Sequence, residues 1–260
     1  MATRHEKEAR PLGPAALDRD FDFSGRRVLV TGAAGGLGRA MAHAFASHRA
    51  TVVLADIDER GVQGVAEDLG GRTEWHVYDQ ADSESVEQLA RVAGAVDVLV
   101  NNAGVLLFKP LVDCTPAEMR RIFDVDVVGL MVLACAVARG MIDRASGVIV
   151  NVGSQLAFSG GELRGAYAAA KAAVSQFTRS AAVEWGPAGV RVVCMAPGRT
   201  ITPLNEAVRQ REGDRRLARI PLRRYGQPEE AAKLALFLAS PAASYITGET
   251  VVADGGFVVG

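Results

Sequence analysis

VLVTGAAGGLGRA, residues 28–40, decides the fold. Its first residues are apolar and β-branched, as in a buried strand. A glycine-rich turn follows, and then a helical pattern that continues as GRAMAHAFASH. Such a turn brings backbone N–H groups and a helix N-terminus to one point, which suits a pyrophosphate. Glycines let a ligand approach the backbone without meeting a Cβ. Here they are Gly32, Gly36 and Gly38, with Thr31 in front, a spacing that differs from G-x-G-x-x-G. Taken alone, the turn also reads as a tight strand-to-helix connection with no ligand.

The same alternation continues along the chain. RRVLVT (26–31), TVVLAD (51–56), EWHVYD (74–79), DVLVN (97–101), GVIVNV (147–152), VRVVCM (190–195) and TVVAD (250–254) read as strands. Helical patterns separate them, one running to Leu69 and long ones at 116–140 and 165–185. Continuous apolar strands alternating with helices signal an α/β fold, with a parallel sheet covered on both faces. No linker divides the chain, so residues 24–260 read as one domain preceded by a charged, loosely ordered arm at 1–23. The charged, irregular stretch 199–225 breaks the rhythm and is a lid candidate.

Composition narrows the function. The chain has 260 residues, 49% hydrophobic, with a formal net charge of −1. No basic field marks a nucleic-acid partner. Cys114, Cys135 and Cys194 are far apart and follow no metal-binding spacing, so they are expected to be reduced, and no metal is expected. The N-terminus lacks an apolar leader, and no apolar run approaches the roughly 18 residues of a membrane helix. A soluble cytoplasmic protein with a small-molecule substrate is the expectation.

Two further features carry chemistry. Asp56 ends the strand after the glycine turn, where an acidic side chain can accept hydrogen bonds from a ribose diol. A carboxylate there would repel a 2′-phosphate, and neither Gly35 nor Ile57 supplies a basic group, so NAD is favoured over NADP. In GAYAAAK (165–171), Tyr167 and Lys171 stand four apart on one helix face. A nearby ammonium favours a phenolate, which readies the phenol to exchange a proton with an alcohol or ketone.

These motifs occur in a definite order: TGAAGGLG (31–38), NNAG (101–104), Ser154 thirteen residues before Tyr167, the Tyr167–Lys171 pair, PG (197–198) and DGG (254–256). The chain resembles the short-chain dehydrogenase/reductase family from about residue 24 to its end. The resemblance implies a single-domain, doubly wound Rossmann-like fold with a seven-stranded parallel sheet and helices on both faces. It also implies that Gly32, Gly36, Leu37 and Gly38 hold the pyrophosphate. Asp56, with Ile57 beside it, would bind the adenosine ribose, and Asp79 would meet the adenine. Asn101, Ala103 and Gly104 would line the cofactor groove. Pro197, Gly198, Thr200 and Thr202 would flank the nicotinamide. Ser154 would hold the substrate oxygen, Tyr167 would transfer the proton, and Lys171 would also hold the nicotinamide ribose.

The sequence departs from the family pattern in DVDVVG, where Asp126 stands at the position of a catalytic asparagine; Val193 is a milder departure. Asp126 is a working substitute on one reading. On the other it slows the proton relay, leaving a nucleotide-binding relative with weak or lost turnover. SQLAFSGGELRGAY and RRLARIPLRRYGQPEE are similar to the sugar-acid branch, which includes 2-deoxy-D-gluconate 3-dehydrogenase and gluconate 5-dehydrogenase; 3-oxoacyl-carrier-protein reductases share the pattern. Arg164, Arg199, Arg215, Arg216 and Arg219 are each either carboxylate ligands or solvated charges. A homotetramer is implied, with Ala134, Ala136, Ala138, Ala172, Ala173, Ala181 and Ala182 as small residues on the two long helices.

Overall fold

The computed structural model describes residues 19–203 and 217–260. Alternating strands and helices run β1 Arg27–Thr31, α1 Gly36–Ser47, β2 Thr51–Asp56, α2 Glu59–Leu69, β3 Thr73–Val77, α3 Ser83–Val92 and β4 Val98–Asn101. They continue as α4 Pro116–Phe123, α5 Leu130–Asp143, β5 Gly147–Val152, α6 Gly165–Trp185, β6 Val190–Pro197, α7 Pro228–Ala239 and β7 Thr250–Ala253. The seven strands form one parallel sheet in the order β3-β2-β1-β4-β5-β6-β7.

Successive strand residues point to opposite faces, and both faces are covered. Val28 and Val30 of β1 pack with Met41, Phe45, Val62 and Leu236 under α1, α2 and α7. Leu29, between them, packs on the other face with Val86, Leu133, Met141 and Ala181 under α3, α5 and α6. That two-sided burial is why the strands read as unbroken apolar runs. Because β1 pairs with β2 on one side and β4 on the other, the connections leave in opposite directions there. A crevice opens at such a switch point, beyond the carboxyl ends of the strands.

Some boundaries differ from those expected. β3 ends at Val77, so Asp79 lies two residues past the strand, and β6 runs on to Pro197. The long helical pattern extends to Asp143 and is interrupted by a π-helical turn, Asp124–Gly129. Gln80 is bonded to this turn. Its amide donates to the carbonyls of Val125 (2.6 Å) and Ala103 (3.1 Å), and its Oε1 accepts from the buried Tyr78 hydroxyl. A side chain thereby gives the Val125 carbonyl, within the π-helical turn, a partner from outside the helix.

The run Pro116–Asp143 is, by length and composition, apolar enough to cross a membrane, contrary to the expectation from sequence. Its most apolar window is 56% buried inside the protein, as in a core helix. The small-residue argument also needs correction. Ala134, Ala138, Ala181 and Ala182 are buried in the chain's own core, where they let α5 and α6 approach the sheet; only Ala172 of the seven is exposed. Residues 1–18 of the N-terminal arm, and residues 204–216 of the lid candidate with Arg215 and Arg216, lie outside the described residues.

Candidate active site

At the carboxyl ends of the strands lies a cleft of about 770 Å³. Its floor begins at the glycine turn. Gly32 has φ +65, and a Cβ there would come within 2.8 Å of Ala103 Cα, so a side chain is excluded on both counts. α2, α3 and α4 each carry a side-chain cap at their N-terminus, whereas Gly35 leaves α1 without one. Gly35, Gly36 and Leu37 line the cleft instead, so the positive end of α1 faces it. Gly38 does not line it. A Cβ there would fall 2.0 Å from the Gly32 carbonyl oxygen, so the absence of a side chain at Gly38 is what lets the helix pack close on the turn.

Asn101 also departs from expectation. Its side chain is buried away from the cleft, donating to Asn151 Oδ1 (3.0 Å), while Asn151 donates to Thr178. The neighbouring Asn102, not singled out by sequence, holds the turn. Its Nδ2 donates to the carbonyls of Thr31 (2.9 Å) and Gly32 (3.1 Å), and the N–H groups of Asn102 and Ala103 donate to Thr31 Oγ1. β4 is thereby stitched to the end of β1.

Asp56 lines the next part of the cleft with Ile57 and Asp79. Its Oδ2 accepts from the Ala34 N–H (2.9 Å) and its Oδ1 from the Asp58 N–H (3.0 Å), which locks the carboxylate in place. Each oxygen keeps lone-pair capacity for a hydroxyl donor. Ala103, Gly104, Pro197, Gly198, Thr200 and Thr202 line the remaining wall. The segment after β6 is held there by paired backbone bonds, Gly226 N–H to Arg199 and Ile201 N–H to Gly226.

Ser154, Tyr167, Lys171 and Asp126 meet on one wall. Ser154 follows β5 and caps a short turn by accepting from the Leu156 N–H (3.2 Å). Tyr167 and Lys171 come from the first two turns of α6, with the Lys171 Nζ 5.5 Å from the Tyr167 ring centre. Lys171 is buried and donates to the Val152 carbonyl (3.1 Å). Its Nζ also stands 3.1 Å from Asp126 Oδ2, an ion pair between side chains 4% and 0% exposed, off good hydrogen-bond alignment. The π-helical turn aims Asp126 inward, and Oδ1 accepts from the Val105 N–H (2.8 Å).

The electrostatics follow from this packing. Burial pulls the Lys171 ammonium down, but Asp126 and the Tyr167 phenol outweigh it, so its pKa lies above the ordinary lysine value. Burial pushes the Tyr167 phenol up. Lys171 draws it down, Asp126 pushes it up again and the Ser154 hydrogen bond lowers it, and the net is upward. The opposition of Lys171 and Asp126 is expected from the sequence; burial, the largest influence, is not.

A floor of uncapped helix end and glycine, an anchored strand-end carboxylate, and a phenol–ammonium pair beside a serine define a dinucleotide-binding oxidoreductase. Comparisons with known proteins give the family. A family model described as enoyl-(acyl carrier protein) reductase matches residues 32–258. The 3-oxoacyl-(acyl-carrier-protein) reductase FabG of Thermotoga maritima is 37% identical over 91% of this chain and 99% of its own. The cis-4-hydroxycyclohexanecarboxylate dehydrogenase of Sinomonas cyclohexanicum is 40% identical over 90% and 97%. A crystal structure from Beutenbergia cavernae, provisionally assigned as an NAD(P)-dependent gluconate 5-dehydrogenase and holding NADP at low occupancy, superimposes with a TM-score of 0.89. It is 38% identical and covers 93% of this chain and 100% of its own. The chain belongs to the short-chain dehydrogenase/reductase family, nicotinamide-dependent oxidoreductases acting on CH–OH groups.

Proposed function

We propose that the protein is an NAD-dependent dehydrogenase of secondary alcohols, sugar acids among them, working in reverse as a ketone reductase. The observation that carries this reading is the convergence of Ser154, Tyr167 and Lys171 on one wall of the cleft that begins at the glycine turn. A nicotinamide cofactor, when bound, supplies the hydride chemistry. Gly32, Gly36 and Leu37 then hold the pyrophosphate, Asp56 and Ile57 the adenosine ribose, Asp79 the adenine, and Ala103 and Gly104 the groove wall. Pro197, Gly198, Thr200 and Thr202 flank the nicotinamide, and Lys171 holds its ribose. Ser154 hydrogen-bonds the substrate oxygen, and Tyr167 gives it a proton in reduction or takes one in oxidation.

The preference for NAD rests on charge. Asp56 is held by two backbone N–H groups and cannot swing away, and a 2′-phosphate beside it would meet its negative charge. Ile57 is 61% exposed and offers no cation in compensation. Absorbance at 340 nm with a panel of sugar acids and secondary alcohols tests both parts. NADH formation is expected with at least one alcohol, with kcat/KM for NAD at least about tenfold that for NADP. Equal use of NADP would defeat the Asp56 argument. Tight NAD binding with no turnover on any substrate would favour a nucleotide-binding relative. Selective reduction of β-keto thioesters would favour the carrier-protein reductase reading.

The reading extends to assembly and location. A homotetramer is supported by exposed apolar side chains on the π-helical turn and the long helices: Val128 and Met131 on one run, Val183 on the other. Burial of such faces between copies is a common use of an apolar patch. Light scattering should return four chain masses; a single chain mass would remove this part. A cytoplasmic location is supported by three free cysteines, Cys114, Cys135 and Cys194.

A further inference from the structure

Five arginines are equal candidates by sequence for meeting a substrate carboxylate, and the surroundings of those described separate them. Arg219 lies over the Phe257 ring at 4.8 Å and does not line the cleft. Arg199 approaches the same ring at 5.9 Å while lining the cleft wall after β6. Arg121, outside that set, lines the cleft as an exposed side chain. Arg164 differs from all of these. It is only 6% exposed, yet it lines the cleft with Ser154 and Tyr167.

Its position is built. Arg164 is the residue before α6, its N–H donating to Gly161 and its carbonyl accepting from Ala168. That places it three residues before Tyr167, at the entrance of the helix that carries the phenol. The guanidinium carbon lies 4.9 Å from the centre of the Phe108 ring, a cation–π contact that helps hold the side chain in place. Its charge reaches the reacting phenol, drawing the Tyr167 pKa down. Val105, Leu106 and Leu156 line the same cleft, and apolar neighbours strengthen a charge contact by keeping water out. Arg164 already has a partner within the protein. Five N–H donors allow it a protein partner and a ligand together.

We infer that Arg164 is a specificity-determining residue that binds a carboxylate carried by the substrate itself, close to the reacting carbon, making the natural substrates hydroxy and oxo acids. The inference rests on the dehydrogenase reading above and narrows it to a substrate class. The anion cannot be the phosphate of a carrier-protein thioester. A long pantetheine arm separates that phosphate from the β-carbonyl, whereas Arg164 sits deep in the wall beside Tyr167, and the thioester end is uncharged.

The test is kcat/KM with NAD for 3-hydroxybutyrate, 4-hydroxycyclohexanecarboxylate and gluconate, each against its own methyl ester. For the acids accepted, the acid-to-ester ratio is expected to be roughly 10–100 in the wild type, the value of a charge-assisted bidentate contact. Arg164→Gln should bring the ratio to about one, mainly through KM, and Arg164→Lys should restore part of it. Arg199 and Arg121 line the same cleft, so if Arg164→Gln folds poorly the charge-keeping Arg164→Lys gives the second reading, and a ratio unchanged from the wild type there overturns the inference as well. A wild-type ratio near one, or a ratio unchanged in Arg164→Gln, overturns the inference. So does oxidation of neutral secondary alcohols with none of the acids accepted; that outcome leaves the dehydrogenase reading intact. If no alcohol reduces NAD at all, that reading fails and the inference with it.

Discussion

Tyr167→Phe is expected to lower kcat about 10²–10⁴-fold, the usual contribution of a positioned general acid–base group. The substitution removes the hydroxyl and keeps the ring, so the contact between the ring and Lys171 at 5.5 Å survives. NAD affinity, read by fluorescence titration, should therefore stay close to that of the wild type. Turnover that survives the change would show that another group moves the proton. The pH dependence has a definite sign. The phenol's pKa is raised above its ordinary 10.0, with burial the first cause, so in the protein without cofactor Tyr167 is protonated at neutral pH. That form serves ketone reduction. Alcohol oxidation needs the phenolate, so its kcat/KM should climb from neutral towards alkaline pH in the wild type. In Tyr167→Phe that climb should vanish.

Breaking the buried ion pair has the second large effect. Lys171→Met leaves Asp126, 0% exposed, with no countercharge among the described residues. The expected loss is about 3–5 kcal/mol, a large part of a typical total of about 5–15 kcal/mol. Urea denaturation at pH 7 measures it, and a loss below about 1 kcal/mol would mean the pair is not held as described. Because the Lys171 pKa is raised in the folded state, this stabilisation is intact below the ordinary 10.5 and is lost as pH rises through the folded value. Asp126→Asn tests the pair from its other side. An asparagine Oδ1 can still accept from the Val105 N–H and the ammonium keeps the Val152 carbonyl, although the Nδ2 that replaces Oδ2 cannot accept from it; no buried carboxylate is left unpaired, so the fold should tolerate it better. Removing the carboxylate charge takes away one of the influences that raise the Tyr167 pKa. The alkaline climb should then move to lower pH, and the neutral-pH oxidation rate should hold or rise. A collapse of the rate would give the carboxylate a chemical role of its own.

Much of this site is legible in the amino-acid sequence. The apolar runs, the glycine turn and the four-residue spacing of Tyr167 and Lys171 are local signals, set by the periods of strand and helix. They lead to the seven-stranded parallel sheet and to the wall that holds Ser154, Tyr167 and Lys171. Adjacent residues of the same type are not separable in this way. Asn101 and Asn102 look alike in NNAG, but one turns into the sheet and the other clamps Thr31, 71 positions away. The alanines of α5 and α6 look equally suited to an inner or an outer face, and four of the seven turn inward. Gln80, which ties β3 to the π-helical turn, carries no motif at all.

The amino-acid sequence by itself determined the fold class, the order of the elements, and the pairing of Tyr167 with Lys171 on one helix face, because each is written in short-range pattern. The tertiary structure alone decided how strongly those groups act on one another. Asp126 and Lys171 are 45 positions apart, and their 3.1 Å contact exists only because the π-helical turn packs against α6. Five arginines are equivalent as letters, and among those described only Arg164 is both buried and set in the cleft beside Tyr167. The physical reason is common to both cases. A charge acquires its energy from the distance to other charges and from the water it has lost, and both are properties of the folded chain.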